Sequence, residues 1–555
     1  MTTEGMLPGL LRMVKASAAE AGQAISSKLR TALPLPAIAA ACLSLASCAP
    51  QDERQPDNFV GRRPGQTESG NALTQAPPRV AETGPLTLTV EDAILEALEN
   101  NRALAVQLFD PQILGTWEDQ ERAAFDPVLG GSVSAGRTKG ERDATGGTIE
   151  ATSDTVSAEA SVEKYLPTGT TIGLSADTDS SVYGDRFTAS RLGLTVNQAL
   201  LQGRGLRVNL ASLRQARLDT LSSEYELRGF AEALVADVEL AYWDFALAER
   251  RIEIFDESLK LAQQQLEETR ERINIGKLAE TELAASQAEE ALRQEELINA
   301  RSDLAAAKLR LLRLLNAPGS DFWTRDVNLS DRPEVPDVQL DEVDQHVEVA
   351  MHLRPELNQA RIAVQRGELE VVKTRNGLLP RMDLFLTLGK SGYADSFGGS
   401  IENINGSGYD VLAGLSLQYP TGNRAARAFG RRARLSLSQA GQAVRNLEQL
   451  AELDVRVAYI EVNRTGQQIA ATLATRALQQ EKLRSETEKF RVGKSTSLLV
   501  GQAQSDLTAS RIAEIQAVVN YLEALVELHR QDGSLLDRRG ISSPGADPVD
   551  LPDLK

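Results

Sequence analysis

The feature that most constrains this chain is one segment that occurs twice, 217 residues apart. The stretch ERINIGKLAETELAASQAEE, residues 271–290, and the stretch EKFRVGKSTSLLVGQAQSDL, residues 488–507, each contain a glycine in otherwise helix-favouring text, Gly276 and Gly493. The same spacing relates DVELAYWDF, residues 237–245, to DVRVAYIEV, residues 454–462. A fixed internal spacing indicates two consecutive copies of one structural unit.

Further upstream the two copies differ in length. Pro127 corresponds to Pro380, 253 residues later, whereas Gly205 corresponds to Gly422 at the 217 spacing. The first copy therefore holds roughly 32 to 36 extra residues between Pro127 and Gly205. This Thr/Ser/Gly-rich text either adds a pair of strands or lengthens a loop.

Each copy reads as a short helix, strands, a very long helix, a glycine break and a medium helix. The predicted fold class is therefore mainly α with a transmembrane β portion, built as a tandem repeat. We expect a first repeat over 87–315 with strands within 129–200, an inter-repeat segment over 316–350, a second repeat over 351–531 with strands within 382–419, and a C-terminal tail over 532–555. The expected helices are 102–124, 206–275 and 277–315, then 356–377, 424–492 and 495–531.

The predicted strands alternate apolar with polar or small residues. Leu192, Leu194 and Val196 share one face of RLGLTVNQAL, and Leu384, Leu386 and Leu388 recur in the same way. A barrel strand in a membrane needs this alternation, but a half-buried soluble sheet would show it too. The long helices carry apolar residues at alternating steps of three and four. An ordinary dimeric coiled coil would explain those helices but not the strands.

The start of the chain has the pattern of an export signal. Lys28 and Arg30 precede a short apolar run that ends in Leu45-Ala46-Ser47-Cys48. We predict a signal peptide over 1–47 and lipidation of Cys48, the alternative being an ordinary signal peptide. Residues 48–86 are rich in Pro, Gly and polar residues, which indicates an extended linker.

Composition narrows the classes of function. The net charge of −18 argues against a nucleic-acid partner, which would need a clustered basic face. The only cysteines are Cys42 and Cys48, and the histidines His346, His352 and His529 are scattered. We therefore expect no enzyme activity, no cofactor and no metal site.

The ordered motifs resemble the TolC-like outer-membrane efflux protein family over about residues 88–531. They are VEDAILEALENN, ALLQGRG, AYWDFALA, INIGKLAETEL, YPTGNRAAR and RVGKSTSLLVGQAQ. The resemblance implies a homotrimer with one shared outer-membrane β-barrel and a helical tunnel that extends into the periplasm. It also implies two partners, a periplasmic adaptor protein and an inner-membrane pump, besides the lipid bilayer. The implied function is a passive export conduit of a tripartite efflux pump. The alternatives are the duct of a type I protein secretion system and a non-conducting structural tether.

The resemblance also assigns the two glycine segments. Gly276 and Gly493 become helix-reversal tips at the periplasmic end, since a tight reversal favours glycine. The expected adaptor contacts are Ile275, Lys277, Arg491, Val492 and Lys494. In similar proteins an acidic ring and an arginine-tyrosine latch close this region, but here the match is partial. We expect an apolar gate at Leu498 or Leu499, with lesser roles for Glu282, Gln502 and Asp506. The alternative is that these leucines only pack between helices.

Overall fold

The computed structural model describes residues 60–61, 85–144, 147–183, 185–317, 322–336 and 340–549. These residues form two units, a sheet unit over 122–211 and 372–428 and a helical unit made of the remaining described residues. The predicted signal peptide and Cys48 lie outside the described residues.

The chain alternates long helices with groups of strands. The α-helices are α1 Val90–Asn100, α2 Arg102–Gln107, α3 Phe109–Arg122, α4 Leu206–Asn209, α5 Ala211–Asn274, α6 Thr281–Leu315, α7 Val343–Leu353, α8 Pro355–Asn376, α9 Phe397–Glu402, α10 Arg424–Arg491, α11 Ser497–Gln531 and α12 Leu535–Arg538. The strands are β1 Val60–Gly61, β2 Leu86–Leu88, β3 Val128–Ala144, β4 Gly147–Leu166, β5 Thr170–Tyr183, β6 Asp185–Ala199, β7 Val327–Leu329, β8 Arg381–Ala394, β9 Tyr409–Gln418 and β10 Ile541–Ser542.

The sheet unit holds one antiparallel sheet in the order β3-β4-β5-β6-β8-β9. Its register aligns apolar residues of all six strands in one row, which then defines an apolar face. The row is Leu129, Val162, Leu174, Leu194, Leu388 and Val411. On the opposite, polar face the row three residues farther along the strands is Ser132, Glu159, Asp177, Arg191 and Ser391. The alternation predicted for β6 and β8 therefore extends across the whole sheet.

The extra residues of the first repeat form strands. Between Pro127 and Gly205 the chain makes β3, β4, β5 and β6, whereas the second repeat makes only β8 and β9. The turn that joins β4 to β5 depends on Gly169, whose φ is 87° and whose amide bonds the Leu166 carbonyl at 2.9 Å. A Cβ at Gly169 would lie 2.3 Å from the Gly203 carbonyl oxygen, so the position has no room for a side chain.

The helical unit packs its largest core around the middle of α5. Tyr242 and Phe245 of that helix lie with Leu311 and Leu312 of α6 and with Leu88 of β2. The Tyr242 hydroxyl donates to the Leu88 carbonyl at 3.1 Å, which satisfies the one polar atom of a ring that is fully buried. β2 pairs in parallel with β7, and Leu86, Leu88 and Val327 of this small ladder belong to the same core.

Two expected helices are interrupted. The expected helix over 102–124 breaks at Leu108, because Pro111 has no amide hydrogen for the Gln107 carbonyl. The expected helix over 206–275 breaks at Leu210, next to Asn209, whose side-chain amide donates to the carbonyls of Pro167 and Gly203 outside the helix.

The residues after α11, expected only as a C-terminal tail, pack into the helical unit. Leu535 and Leu536 are fully buried, and β10 pairs antiparallel with β1. The Arg539 guanidinium contacts both carboxylate oxygens of Glu239, whose side chain is fully buried. The buried carboxylate is therefore compensated from this C-terminal segment.

Shortening Leu536 to alanine tests this packing. We expect Leu536→Ala to lower the free energy of unfolding by about 2–5 kcal/mol, because it leaves a cavity in a fully buried site. Leu478→Ala is the matched control, since Leu478 is 73% exposed and its truncation should change stability by less than about 0.5 kcal/mol. Denaturant unfolding of the purified chain measures both; equal effects would mean that the segment is not part of the core.

Candidate functional site: the paired helix-reversal tips

Both glycine segments end a long helix in the same way. At the end of α5 the Gly276 amide bonds the Ile273 carbonyl at 2.8 Å and the Lys277 amide bonds the Arg272 carbonyl at 2.8 Å. At the end of α10 the Gly493 amide bonds Phe490 at 3.1 Å, and the Lys494 amide bonds Lys489 at 2.8 Å. These pairs of bonds define a Schellman motif, in which the glycine adopts a left-handed backbone; φ is 73° at both glycines.

The residues expected to contact the adaptor surround these two turns and are all exposed. Ile275 is 65% exposed and Val492, its counterpart 217 residues later, is 69% exposed. Lys277, Arg491 and Lys494 are also exposed. Each tip therefore presents one aliphatic side chain beside basic groups.

The two tips are tied together through the start of α11. Glu282 near the start of α6 accepts a hydrogen bond from the Ser497 backbone amide at 3.2 Å and another from the Ser497 hydroxyl. Thr496 provides the N-cap of the same helix, accepting from the Leu499 amide. The Glu282 carboxylate thus sits where a helix N-terminus stabilises negative charge.

The remaining expected gate residues divide into two kinds. Leu498 is 66% exposed and Leu499 is 49% exposed, and Gln502 is also exposed. Asp506, in contrast, forms an ion pair with Lys482 of α10 at 2.6 Å. Within the chain, both carboxylates are engaged in helix contacts, whereas both leucines are left uncovered.

Sequence reasoning missed Arg293. It is 2% exposed and pairs with Glu289 and Glu296 of its own helix, and its guanidinium also contacts the Ser505 hydroxyl of α11. In the sequence it stands in EEALRQEE, which reads as a solvated charged face. A groove of ≈ 170 Å³ lies beside this contact, between α5, α6 and α11, and includes Leu498 and Gln504 in its lining.

Phe490 and Ser495, on either side of Gly493, both make contacts within the chain. The Phe490 ring is 4% exposed and lies 4.9 Å from the Arg272 guanidinium carbon, a cation–π contact between the ends of α5 and α10. The Ser495 hydroxyl donates to Glu486 at 2.8 Å, and Lys489, with Ser495, lowers the pKa of that carboxyl. The two tips are thus joined by the Arg272–Phe490 contact and by the Glu282 cap of α11.

The structure places one of the three histidines, His346, beside an acidic group. His346 Nδ1 lies 2.8 Å from Asp532, and both side chains are buried. Burial lowers the pKa of His529 to about 4. In the described part of the chain no group of three or more His, Cys, Asp or Glu side chains is arranged to hold a metal. None of the described helices is both long and apolar enough to span a membrane.

Comparison with known proteins assigns the class. The model of the outer membrane efflux protein family matches residues 93–317 and 347–534, which cover both repeats. The outer membrane efflux protein BepC of Brucella suis biovar 1 (strain 1330) is 23% identical over 333 residues, 60% of this chain and 70% of BepC. This chain belongs to the outer membrane efflux protein family, and its place is the outer membrane.

Solved structures show the same fold. A membrane protein from Pseudomonas aeruginosa aligns with a TM-score of 0.60 at 20% identity, over 83% of this chain and 99% of that one. The Campylobacter jejuni CmeC outer membrane channel aligns with a TM-score of 0.58 at 14% identity, over 86% and 95%. The predicted fold class, helices in tandem repeats with a β portion, is confirmed. Lipidation of Cys48 stays a prediction, which the intact mass of the mature chain checks.

The left-handed glycines yield a sharp test because their surroundings are open. No heavy atom lies within 4 Å of a Cβ built at Gly493, so a substitution acts through the backbone alone. We expect Gly493→Val to destabilise the turn by about 1–2 kcal/mol and to speed hydrogen exchange of the Lys494 amide. Gly493→Asn is the control, since asparagine tolerates this backbone, and it should stay near the parent rate. Equal exchange rates of the Lys494 amide in both variants would contradict the explanation that the left-handed backbone at Gly493 requires glycine or asparagine.

Proposed function

We propose that this chain is the outer-membrane channel of a tripartite efflux pump, a passive conduit formed by three copies. The observation that carries the proposal is the apolar row that crosses all six strands opposite a charged face. On β4 the face that carries this row runs from Val156 to Leu166 and is apolar except at Lys164, two residues from its end, where a lysine can extend its ammonium group toward water. These ten residue steps span about 33 Å, which a strand tilt of about 40° reduces to a height of about 25 Å. That height matches the lipid-facing band of a membrane barrel.

The limit of this band is supported by α9. This short helix lies on the same face as the apolar row, beyond its end, where the Ser400 hydroxyl bonds the Ser190 hydroxyl at 2.7 Å. Ser190 is only 3% exposed, although it lies on the same face of β6 as Leu192 and Leu194. A polar contact covered by protein fits a position outside the hydrocarbon, since buried hydroxyls need partners.

Assembly from several copies is supported by apolar stripes that the chain leaves uncovered. On α3, Phe109, Ile113 and Trp117 are each more than half exposed. On α10, Val457 and Ile460 are exposed, whereas Trp243, the counterpart of Ile460 in the first repeat, is only 9% exposed. The same helical position is thus buried in one repeat and open in the other. A neighbouring copy that covers the open position would complete the pattern.

We place the gate at Leu498 and Leu499. Both keep a large exposed surface in the chain, although Leu498 also lines the groove between α5, α6 and α11, whereas Glu282 and Asp506 are held in a helix cap and an ion pair. Three copies that converge at the tips would bring the leucines together and exclude water from the path. The carboxylates would then fix helix positions and not close the path themselves.

Conductance tests the conduit and the gate together. The purified channel in planar bilayers should pass ions, and Leu498→Ser and Leu499→Ser should each raise the single-channel conductance several-fold by making the constriction wettable. Glu282→Gln and Asp506→Asn are the comparison variants and should change it less. Carboxylate variants that open a channel which the leucine variants leave shut would reverse the gate assignment. A parent chain and leucine variants that never conduct would indicate a structural tether.

The tips are the proposed adaptor contact, through Ile275 and Val492 with Lys277, Arg491 and Lys494 beside them. Ile275→Ser combined with Val492→Ser should reduce dye export at least tenfold in a strain that lacks the channel, because apolar contacts to the adaptor are lost. Conductance of the same variant should stay at the parent value. Leu478→Ser, equally exposed but on the shaft of α10, serves as the control. Full export by the double variant would show that the adaptor binds elsewhere.

A further inference from the structure

The first repeat contributes twice as many strands as the second. Pro127 precedes β3 as Pro380 precedes β8, and Gly205 follows β6 as Gly422 follows β9. By this correspondence β3 matches β8 and β6 matches β9, so β4 and β5 are the added pair. All three junctions within the first repeat carry full antiparallel ladders, and β5 is paired along its length on both sides.

The sheet has two open edges. In the order β3-β4-β5-β6-β8-β9, β3 and β9 each pair with only one neighbour among the residues that the structure describes. Both carry the apolar row, with Leu129 on β3 and Val411 on β9, so both edges lie within the proposed lipid band. Unpaired backbone groups in hydrocarbon cost several kcal/mol each, so these edges must be covered.

The direction of the two edge strands permits them to pair with each other's copies. Since neighbours in the sheet alternate in direction, the first strand, β3, and the sixth, β9, run oppositely. A β9 edge placed beside a β3 edge therefore continues the antiparallel pattern. A space of ≈ 840 Å³ lies over one end of the polar face, lined by residues such as Tyr165, Asn197, Asp383 and Gln418, so the sheet curves toward this face there.

The shared barrel of three copies, in which β9 pairs with β3 of the next copy, belongs to the proposed function; beyond it, we propose that the added pair β4 and β5 is part of the barrel wall, so that three copies close one barrel of 3 × 6 = 18 strands. The trimer itself rests on the proposed function. A strand spacing of about 4.8 Å and a tilt of about 40° give a backbone radius of about 18 Å. Barrels of 16–18 strands enclose an aqueous channel.

Closure by one chain alone does not fit the polar face. Six strands would give a backbone radius of about 6 Å, and even eight strands only just hold their own inward side chains. Glu159, Asp177 and Arg191 share one row of that face and would be forced into a dry core. A wide lumen leaves these charges in water.

Disulfide cross-linking between copies tests the edge pairing. Ser416→Cys on β9 is combined in turn with Val128→Cys, Ser132→Cys and Ser134→Cys on β3, all of which lie on the polar face. The control pairs Ser416→Cys with Ser175→Cys on the interior strand β5, and each single variant controls for Cys48. Oxidised membranes should give covalent dimers and trimers for at least one β3 position and none for Ser175. Cross-links to Ser175 and not to β3 would overturn the proposal, because the barrel would then close without β3 and β4.

Lumen width gives a second measurement. A variant that lacks residues 147–183 joins β3 to β6 and leaves four strands in each copy, for which the same geometry gives a backbone radius of about 12 Å. The largest polyethylene glycol that enters the lumen from the extracellular side should have a radius about 6 Å smaller in this variant than in the full chain. An unchanged cut-off would contradict eighteen strands. A full chain that conducts but shows no cross-link to β3 would sink the eighteen-strand closure alone, whereas loss of conductance would contradict the conduit itself.

Discussion

The ladder between β6 and β8 is the contact on which the sheet depends, because it joins a strand of the first repeat to a strand of the second. Its register runs from Thr188 opposite Ala394 to Ala199 opposite Asp383. A slip of one residue would move Leu194 and its neighbours to the polar face, since side chains alternate along a strand. One register therefore gives both repeats a common apolar face. The two open edge strands, the polar contact covered by α9 and the polar face opposite are all placed relative to that face.

The sequence predicted the features that depend on local chemistry. The 217-residue spacing predicted two similar halves, and a glycine in helix-favouring text predicted each reversal because the left-handed backbone is open to few other residues. Alternation in β6 and β8 predicted one apolar face. The excess of residues before Gly205 was visible as a length, but its strand structure was not, because Thr- and Ser-rich text suits a loop as well as a strand.

Features that depend on distant partners were not predictable. Arg293 reads as a surface residue from its acidic neighbours, and only the approach of α11 buries it against Ser505. Leu535 and Leu536 stand in a short, polar-flanked segment that lacks a helical period, yet they enter the main core. In the same segment Arg539 compensates Glu239, more than 200 residues away in sequence. Tertiary contacts of this kind override local pattern.

At the tips, polar contacts and exposed apolar side chains have different roles. The charged and polar groups there hold the helices in position: Glu282 caps α11, Lys482 forms an ion pair with Asp506, and the Arg272 guanidinium lies over the Phe490 ring. Because these contacts lie within one chain, they hold its two hairpin tips together without a contribution from a neighbouring copy. Leu498 and Leu499 remain 66% and 49% exposed, so in the proposed assembly what their exposed surfaces meet depends on how copies converge. The gate proposed at these leucines would open when whole hairpins move apart, because separating apolar side chains breaks no hydrogen bond or ion pair.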